Sequence, residues 1–213
     1  MPSHAAFPYL LYLVISEQNC RGRSLLSVAE EAISGGVDII QLREKTLDDA
    51  AFLRQALLLK EITDRYRVPL IINDNLAVAK AVGAFGIHVG NNDIPPSEVR
   101  RQWPDGGHIG YSVEYLSQLA TAEADAADAL GISPVFSTPT KTDTVTEWGL
   151  DGLGQIRSLT NKPLIAIGNM HAQNAASVIR AGANSIAVVS AICAADSPHQ
   201  AAYTLKNAIL KAI

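Results

Sequence analysis

Residues 38–45 read Asp-Ile-Ile-Gln-Leu-Arg-Glu-Lys, a short apolar run that gives way to charged side chains. The run at 38–42 is almost continuously apolar, which is typical of a parallel strand buried on both faces. Arg43, Glu44 and Lys45 follow it directly. A buried strand with a polar end recurs along the chain, and this recurrence predicts the fold.

Seven further runs of the same kind are separated by stretches with helical periodicity. They lie at residues 10–15, 69–72, 86–89, 108–111, 130–135, 163–167 and 185–189. Between the first two strands, Leu25, Val28, Ala29, Ala32 and Ile33 have the spacing of one apolar helix face. Eight strand–helix units predict a single α/β domain over residues 1–213, a (β/α)8 TIM barrel. A doubly wound open sheet is the alternative.

The composition limits the partners that we expect. The chain has 17 Lys and Arg against 21 Asp and Glu, a net charge of −4, which argues against binding to nucleic acid or to an anionic membrane surface. Apolar residues make up 48% of the 213 residues, yet no run reaches the roughly 18 residues that cross a bilayer. The start shows no targeting segment, and the two cysteines form no disulfide framework or metal-ligand spacing. We therefore expect a cytoplasmic protein, and a homo-oligomer is one option.

Active sites of this barrel lie at the carboxyl ends of the strands, where seven of the eight runs have polar residues. Gln41, Arg43 and Lys45 alternate, so they share one side of an extended segment while Leu42 faces the helices. A guanidinium and an ammonium on that side predict a clamp for an anion. The alternative is a solvated strand end in which Arg43 pairs with Glu44.

Two carboxylates follow neighbouring strands. Asp74 comes after the third strand and Asp93 after the fourth. Because adjacent strands lie roughly 5 Å apart, both side chains can face one point. Two carboxylates with water and a substrate phosphate are a common way to hold Mg²⁺, so the sequence predicts a magnesium site. The alternative is that these residues cap the helices that follow.

The later strand ends contain groups that suit phosphate. Thr138-Pro139-Thr140-Lys141 is a polar loop after the sixth strand, and its hydroxyls and ammonium suit phosphate oxygens. Gly168 follows the seventh strand, and Val189 and Ser190 follow the eighth, where barrels build phosphate sites from backbone N–H groups. An ordinary polar loop and a tight turn at Gly168 are the alternatives.

Ser112 ends the fifth strand with no histidine close in sequence, so we expect it to hydrogen-bond a ligand rather than to act as a nucleophile. His88 lies within the fourth strand and is expected to be a satisfied interior histidine. Cys193 has no activating neighbour in the sequence and is expected to be inert.

These motifs, in this order, resemble the thiamine-phosphate synthase family over about residues 9–208. The most specific parts are Gln41-Leu42-Arg43-Glu44-Lys45, Ile72-Asn73-Asp74, Gly86-Ile87-His88-Val89-Gly90 with Asp93, Pro134-Val135-Phe136 with Thr138-Pro139-Thr140-Lys141, and Ala187-Val188-Val189-Ser190-Ala191-Ile192. The resemblance implies a barrel that joins 4-amino-2-methyl-5-hydroxymethylpyrimidine diphosphate to a thiazole phosphate, or to its carboxylated tautomer. It implies an Mg²⁺-dependent, dissociative reaction that releases pyrophosphate and thiamine phosphate.

The resemblance also assigns roles to residues. Those implied to bind the pyrimidine diphosphate are Gln41, Arg43, Lys45, Asn73 and Lys141. Asp74 and Asp93 are implied to hold Mg²⁺, and Ser112 to contact the pyrophosphate or the pyrimidine. Those implied to hold the thiazole phosphate are Thr138, Thr140, Gly168, Val189 and Ser190. Within these sets, Arg43, Lys45, Ser112 and Lys141 are implied to be catalytic, and residues 142–148 are the candidate lid.

Four positions depart from the family pattern. Glu114 stands where a histidine is frequent, Asn169 where a second glycine is usual, and Ser133 where a glycine is common. Asn91-Asn92 replace the preferred Gln-Glu before Asp93. Asn169 and Glu114 keep open a non-catalytic thiazole-phosphate binder. A thiazole tautomerase-like isomerase is the other alternative, but Glu114 in place of a histidine and the Thr138-Pro139-Thr140-Lys141 loop point away from it.

Overall fold

The computed structural model describes residues 7–138 and 146–213. In these ranges eight parallel strands close into a barrel, each hydrogen-bonded to the next in chain order, with the eighth pairing back to the first. The strands are β1 Leu11–Ile15, β2 Ile39–Leu42, β3 Leu70–Asn73, β4 Gly86–Val89, β5 His108–Val113, β6 Ala129–Ile132, β7 Leu164–Ile167 and β8 Ser185–Val188. The predicted TIM barrel is confirmed, and the open-sheet alternative is wrong.

Helices surround the barrel between successive strands. They are α1 Leu25–Ser34, α2 Asp49–Tyr66, α3 Leu76–Ala81, α4 Pro96–Gln102, α5 Ala122–Ala126, α6 Gly149–Leu159, α7 Ala172–Arg180, α8 Ser190–Cys193 and α9 Pro198–Leu210. Short 3-10 helices lie at Glu17–Cys20 and Leu116–Ala120. Among the described residues, no helix is long and apolar enough to cross a membrane.

Two predicted strand ends differ from the structure by more than one residue. β6 stops at Ile132 rather than at residue 135, because Pro134 has no N–H to give to a strand ladder. β5 continues to Val113 rather than ending at residue 111, since Ser112 and Val113 pair with Gly131 and Ile132 of β6. Ser112 therefore lies within a strand rather than after it.

Side chains of each strand alternate between two apolar layers. Outward residues such as Leu13 and Leu42 pack against the helices in the larger core cluster. Inward residues fill the barrel interior, and they are Tyr12, Val14, Ile39, Ile71, Ala129, Ile165 and Ala187. Gln41 and Asn73, each 5% exposed, line the cavity at the carboxyl end of the barrel. The strands thus place an apolar plug below a polar layer.

An aromatic group closes the opposite end of the barrel. The His108 ring stacks on Phe85 with centroids 5.7 Å apart, and Phe7 packs against His108 at 5.3 Å. Tyr9 contacts both phenylalanine rings edge-on. These four residues, which we call the aromatic floor, lie at or before the amino ends of β1, β4 and β5.

Candidate active site

A cavity of about 710 Å³ opens at the carboxyl ends of the strands. Every predicted site residue within the described ranges lines it: Gln41, Arg43, Lys45, Asn73, Asp74, Asp93, Ser112, Thr138, Gly168, Val189 and Ser190. Thr140 and Lys141 lie outside the described residues. The structure therefore brings together side chains that are up to about 150 positions apart in the sequence.

Asp74 is the centre of a cluster of charged and polar groups at the cavity mouth. The Lys45 ammonium contacts its Oδ2 atom, and Nδ2 of Asn73 donates to the same oxygen at 2.5 Å. The Asp74 backbone takes the left-handed conformation, with φ of 61°, and its N–H donates to the carbonyl of His88 at 2.9 Å. Lys45, after β2, and Asn73 of β3 thus hold the carboxyl group, and His88 of β4 holds the Asp74 backbone.

Asp93 and Asp74 both line the cavity, and each affects the pKa of the other. The pKa of Asp74 is raised by burial and then by its hydrogen bond with Asp93, against the opposing effect of Lys45. Burial alone would raise the pKa of Asp93, but hydrogen bonds with Asp74 and the Gly90 N–H, with the charge of Lys45, lower it. The pKa values of the two neighbouring carboxyl groups thus shift in opposite directions.

Neither carboxylate caps a helix, so the capping alternative is wrong. Asn75 caps α3, because its Oδ1 accepts from the N–H of Val78 at 3.0 Å. The Oδ2 of Asp93 accepts from the N–H of Gly90 at 2.8 Å, within its own turn, and Pro95 stands at the cap position of α4. Both aspartates face the cavity instead.

The two carboxylates fit Mg²⁺ better than a metal held by protein ligands alone. Among the described residues, no group of three or more His, Cys, Asp or Glu side chains is placed to bind a metal. Mg²⁺ keeps several waters and takes one or two carboxylates together with substrate phosphates, whereas structural Zn²⁺ needs four protein ligands. Asp74 and Asp93 supply the two carboxylates that such an Mg²⁺ site takes from the protein.

The alternating residues at the end of β2 and just beyond it point as the sequence predicts. Gln41, Arg43 and Lys45 line the cavity, while Leu42 packs in the outer core. Nε2 of Gln41 donates to the hydroxyl of Tyr12 at 2.9 Å, which satisfies its buried amide. Glu44 accepts from the backbone N–H of Glu17 at 2.7 Å, and no ion pair of the described ranges joins it to Arg43. The alternative pairing of Arg43 with Glu44 is wrong.

Ser112 does have a histidine partner, which the sequence analysis missed. Nε2 of His88 lies 2.9 Å from Oγ of Ser112, and both residues line the cavity. Glycines of the next two strands make room for the ring: a Cβ at Gly110 would lie 2.5 Å from Nδ1 of His88, and one at Gly131 would lie 3.0 Å from Cε1. The expectation of a partnered interior histidine is confirmed. The expectation that Ser112 hydrogen-bonds a ligand rather than acting as a nucleophile stays a prediction.

The far side of the cavity is formed by the loops after β7 and β8. Gly168 has φ of +112°, and a Cβ there would lie 2.6 Å from Cβ of Pro134. The turn therefore requires glycine, as the alternative interpretation held, and the same residue lines the cavity beside Ser190. Asn169 follows with φ of 51°, a left-handed conformation that asparagine tolerates better than most residues. Replacing the usual second glycine by asparagine thus preserves the path of the backbone.

Other residues at the cavity were not predicted. Asn19 and Arg21 belong to the loop after β1, the one strand end that the sequence analysis did not treat as polar. Glu114 and His171 line the cavity from the loops after β5 and β7. Arg21 sits just past the helix Glu17–Cys20, so a 3-10 turn that the sequence analysis did not recognise carries this additional cation to the rim.

The candidate lid at residues 142–148 falls largely outside the described residues. Its last part is anchored: the hydroxyl of Thr146 donates to the carbonyl of Glu114 at 2.9 Å, and the N–H of Trp148 donates to Pro134 at 3.0 Å. Trp148 is buried in the core. Any closing segment therefore ends before Trp148.

Comparisons with known proteins show the family of this chain. The family model described as thiamine monophosphate synthase matches residues 11–192. A thiamine-phosphate synthase of Albidiferax ferrireducens is 48% identical over 199 residues, which cover 93% of this chain and 91% of the relative. One from Chloroflexus aurantiacus is 45% identical over 196 residues, covering 92% and 90%.

Solved structures give the same picture. A thiamine phosphate pyrophosphorylase from Pyrococcus furiosus superposes with a TM-score of 0.87 at 29% identity, covering 96% of this chain and 97% of its own. A 3-hexulose-6-phosphate synthase from Salmonella typhimurium has a TM-score of 0.72 at 17% identity, covering 96% and 100%, and shares the fold alone.

Proposed function

This chain belongs to the thiamine monophosphate synthase family, and we propose that the cavity at its barrel mouth is where the family reaction takes place. The enzyme is a transferase that joins a pyrimidine unit to a thiazole unit to give thiamine phosphate. In the proposal, the first substrate is the hydroxymethylpyrimidine diphosphate and the second is the thiazole phosphate or its carboxylated tautomer. Neither the isomerase nor the non-catalytic binder is favoured by the relatives.

The observation that carries the proposal is the convergence of Lys45, Asp74 and Asp93 beside Arg43 at one mouth. Cations and carboxylates in contact at a cavity rim suit a diphosphate that arrives with Mg²⁺, because the carboxylates take the metal and the cations take the phosphate oxygens. Lys45 then exchanges its contact with Asp74 for one with the diphosphate. The chemistry that Mg²⁺ supplies when bound is the neutralisation of negative charge on the phosphate oxygens.

The reacting bond lies between the pyrimidine methylene carbon and the diphosphate oxygen. As it breaks, the oxygen keeps the electron pair and pyrophosphate gains charge. Arg43, Lys45 and the sequence-predicted Lys141 stabilise that charge as it develops, which lowers the barrier. Ser112, held by His88, donates its hydroxyl proton to a leaving-group or pyrimidine acceptor. Gln41 and Asn73 orient the pyrimidine from the polar layer of the barrel.

The thiazole phosphate fits the other side of the cavity. Gly168, Val189 and Ser190, with Thr138 and the sequence-predicted Thr140, hold its phosphate. This places the thiazole nitrogen to share its lone pair with the methylene carbon, forming the new C–N bond. With the carboxylated tautomer as substrate, the carboxylate leaves as CO2 and the ring carbon that carried it takes up a proton. No proton has to be removed for this step, so the His88–Ser112 pair is not required as a base and nucleophile. We also place the enzyme in the cytoplasm, with small molecules as its ligands.

Incubation with both substrates and Mg²⁺ tests the proposal. We expect pyrophosphate and thiamine phosphate to form in equal amounts, and Asp74→Ala to abolish their release. Asp64→Ala, which removes a surface carboxylate on α2 that pairs with Lys60, is the matched control and should keep the rate. Binding of thiazole phosphate without any pyrophosphate release would instead support a non-catalytic binder.

A further inference from the structure

A hydrogen-bonded cluster lies between the loops after β4 and β5. Its members, which we call the amide cluster, are Asn91, Tyr111, Glu114 and Gln118. Oδ1 of Asn91 accepts from the Tyr111 hydroxyl at 2.7 Å and from Nε2 of Gln118 at 2.5 Å. Nδ2 of Asn91 donates to a Glu114 carboxylate oxygen at 2.8 Å. The asparagine side chain thus has partners on both its oxygen and its nitrogen.

Gln118 is buried, with 9% of its surface exposed, as is Tyr111 with 7%. Its Oε1 accepts from the backbone N–H groups of Glu114 at 2.7 Å and Tyr115 at 2.8 Å. Because both of these donors are backbone groups, the orientation of the amide is fixed. Its Nε2 therefore faces three oxygens, those of Asn91, the Tyr111 hydroxyl at 2.9 Å and the Ser112 carbonyl at 3.2 Å.

This one amide connects two parts of the active site. On one side it contacts the backbone of Ser112, the residue whose hydroxyl meets His88. On the other side it holds Asn91 in the turn from Gly90 to Asp93, which is closed by the bond from the Gly90 N–H to the Asp93 carboxylate. Gln118 therefore links the backbone of Ser112 to the turn that carries Asp93.

The amide cluster also contacts the loop after β6. The Glu114 carboxylate binds Asn91, and the Glu114 carbonyl accepts from the hydroxyl of Thr146. Glu114 and Asn91 are two of the positions at which this chain departs from the family pattern. Their side chains hydrogen-bond to each other, so the two departures from the family pattern belong to one local network.

We propose that Gln118 and Asn91 are positioning residues that hold the Asp93 carboxylate and the Ser112 hydroxyl in register for the divalent cation and the diphosphate. This inference rests on the proposed role of Asp93 as a metal ligand. Gln118 touches neither substrate, since it lies behind the rim rather than in the cavity lining. Partners of metal ligands commonly change metal affinity or activity by 10- to 100-fold when they are removed.

The test combines Gln118→Met, which keeps the side-chain length but removes every hydrogen bond, with Asn91→Ala at an exposed position. Mn²⁺ in the presence of inorganic pyrophosphate is the probe, and its dissociation constant is measured by electron paramagnetic resonance. We expect that constant to rise about 10-fold in both variants and kcat to fall about 10-fold. The KM for thiazole phosphate should change by less than about twofold, because that site lies across the cavity.

Gln102→Met is the matched control, since it removes the hydrogen bond from an exposed glutamine to Glu98 on α4. Mn²⁺ affinity and kcat should both be unchanged in it. If Gln118→Met fails to fold, Asn91→Ala decides alone. An unchanged Mn²⁺ constant and kcat in Asn91→Ala would overturn the inference.

A parallel Asp93→Asn variant distinguishes failure of the proposed metal site from failure of the positioning role. If Asp93→Asn leaves Mn²⁺ binding intact, the proposed metal site is wrong and the inference falls with it. If Asp93→Asn loses Mn²⁺ while Asn91→Ala does not, only the positioning role is wrong.

Discussion

Nε2 of His88 and Oγ of Ser112 meet at 2.9 Å across the seam between β4 and β5. The pair forms because both residues face inward, and because Gly110 and Gly131 leave space for the imidazole ring. The ring and the hydroxyl thus share one pocket wall, and removing either one leaves the other without this bond.

We expect His88→Ala and Ser112→Ala each to lower kcat by about 10-fold, the range of one hydrogen bond. The double variant should be little worse than the more damaged single one, because both changes remove the same contact. Single-turnover release of pyrophosphate measures this. His199→Ala, at an exposed position on α9, is the control. Fully multiplicative losses in the double variant would show that the two residues act separately.

Lys45 is expected to contribute to diphosphate binding rather than to folding. Lys45→Gln should lower kcat/KM for the pyrimidine diphosphate by about 100-fold, because a charge that contacts the leaving group is lost. Lys60→Gln removes another lysine–carboxylate contact, on the surface of α2, and should leave kcat/KM within about twofold. Initial rates at varied concentrations of the pyrimidine diphosphate give kcat/KM for both variants. Equal effects of the two changes would contradict the role.

Gly168→Ala should destabilise the fold through both backbone strain and overlap. Its φ of +112° disfavours a side chain, and the added Cβ would lie 2.6 Å from Pro134 and 2.9 Å from the carbonyl of Phe136. Gly83→Ala is the matched control, since φ is also positive there but no atom lies within 4 Å. We expect a loss of about 1 kcal/mol at Gly83 and about 3 kcal/mol at Gly168. Urea unfolding measures both, and equal losses would mean that the overlap is relieved without cost.

His108 should make the stability depend on pH. Burial lowers its pKa in the folded state, Asp128 opposes this and Arg100 adds to it, and Nε2 has no hydrogen-bond partner within the described ranges. Below about pH 6.5, the ordinary pKa of histidine, His108 is protonated in the unfolded chain but stays neutral longer in the folded state. The free energy of unfolding is therefore highest above that pH and decreases as the pH falls. Urea midpoints at pH 7.5 and 5.5 should differ less in His108→Phe than in the unchanged chain. The same pH dependence in both would exclude His108 as its source.

The sequence was sufficient to predict the barrel, because buried strands and helical spacing are local patterns. It also located the rim residues, since Asp74 and Gly168 follow strands directly. It did not predict the His88–Ser112 pair, which is separated by 24 positions and depends on barrel register. Arg21 was missed for a different reason: its loop carries a 3-10 turn that the sequence analysis did not recognise. The single-domain assignment and the individual roles of the site residues stay predictions.

The aromatic floor affects the order in which ligands bind to the cavity and leave it. With Phe7, Tyr9, Phe85 and His108 packed at one end of the described barrel, the two substrates and two products of the proposed reaction would all pass through the mouth at the carboxyl ends of the strands. Whatever binds deepest has to enter first and leave last, so the order of addition is imposed by geometry. A surplus of the outer ligand would then block the inner one, and the rate would decline at high concentrations of one substrate only.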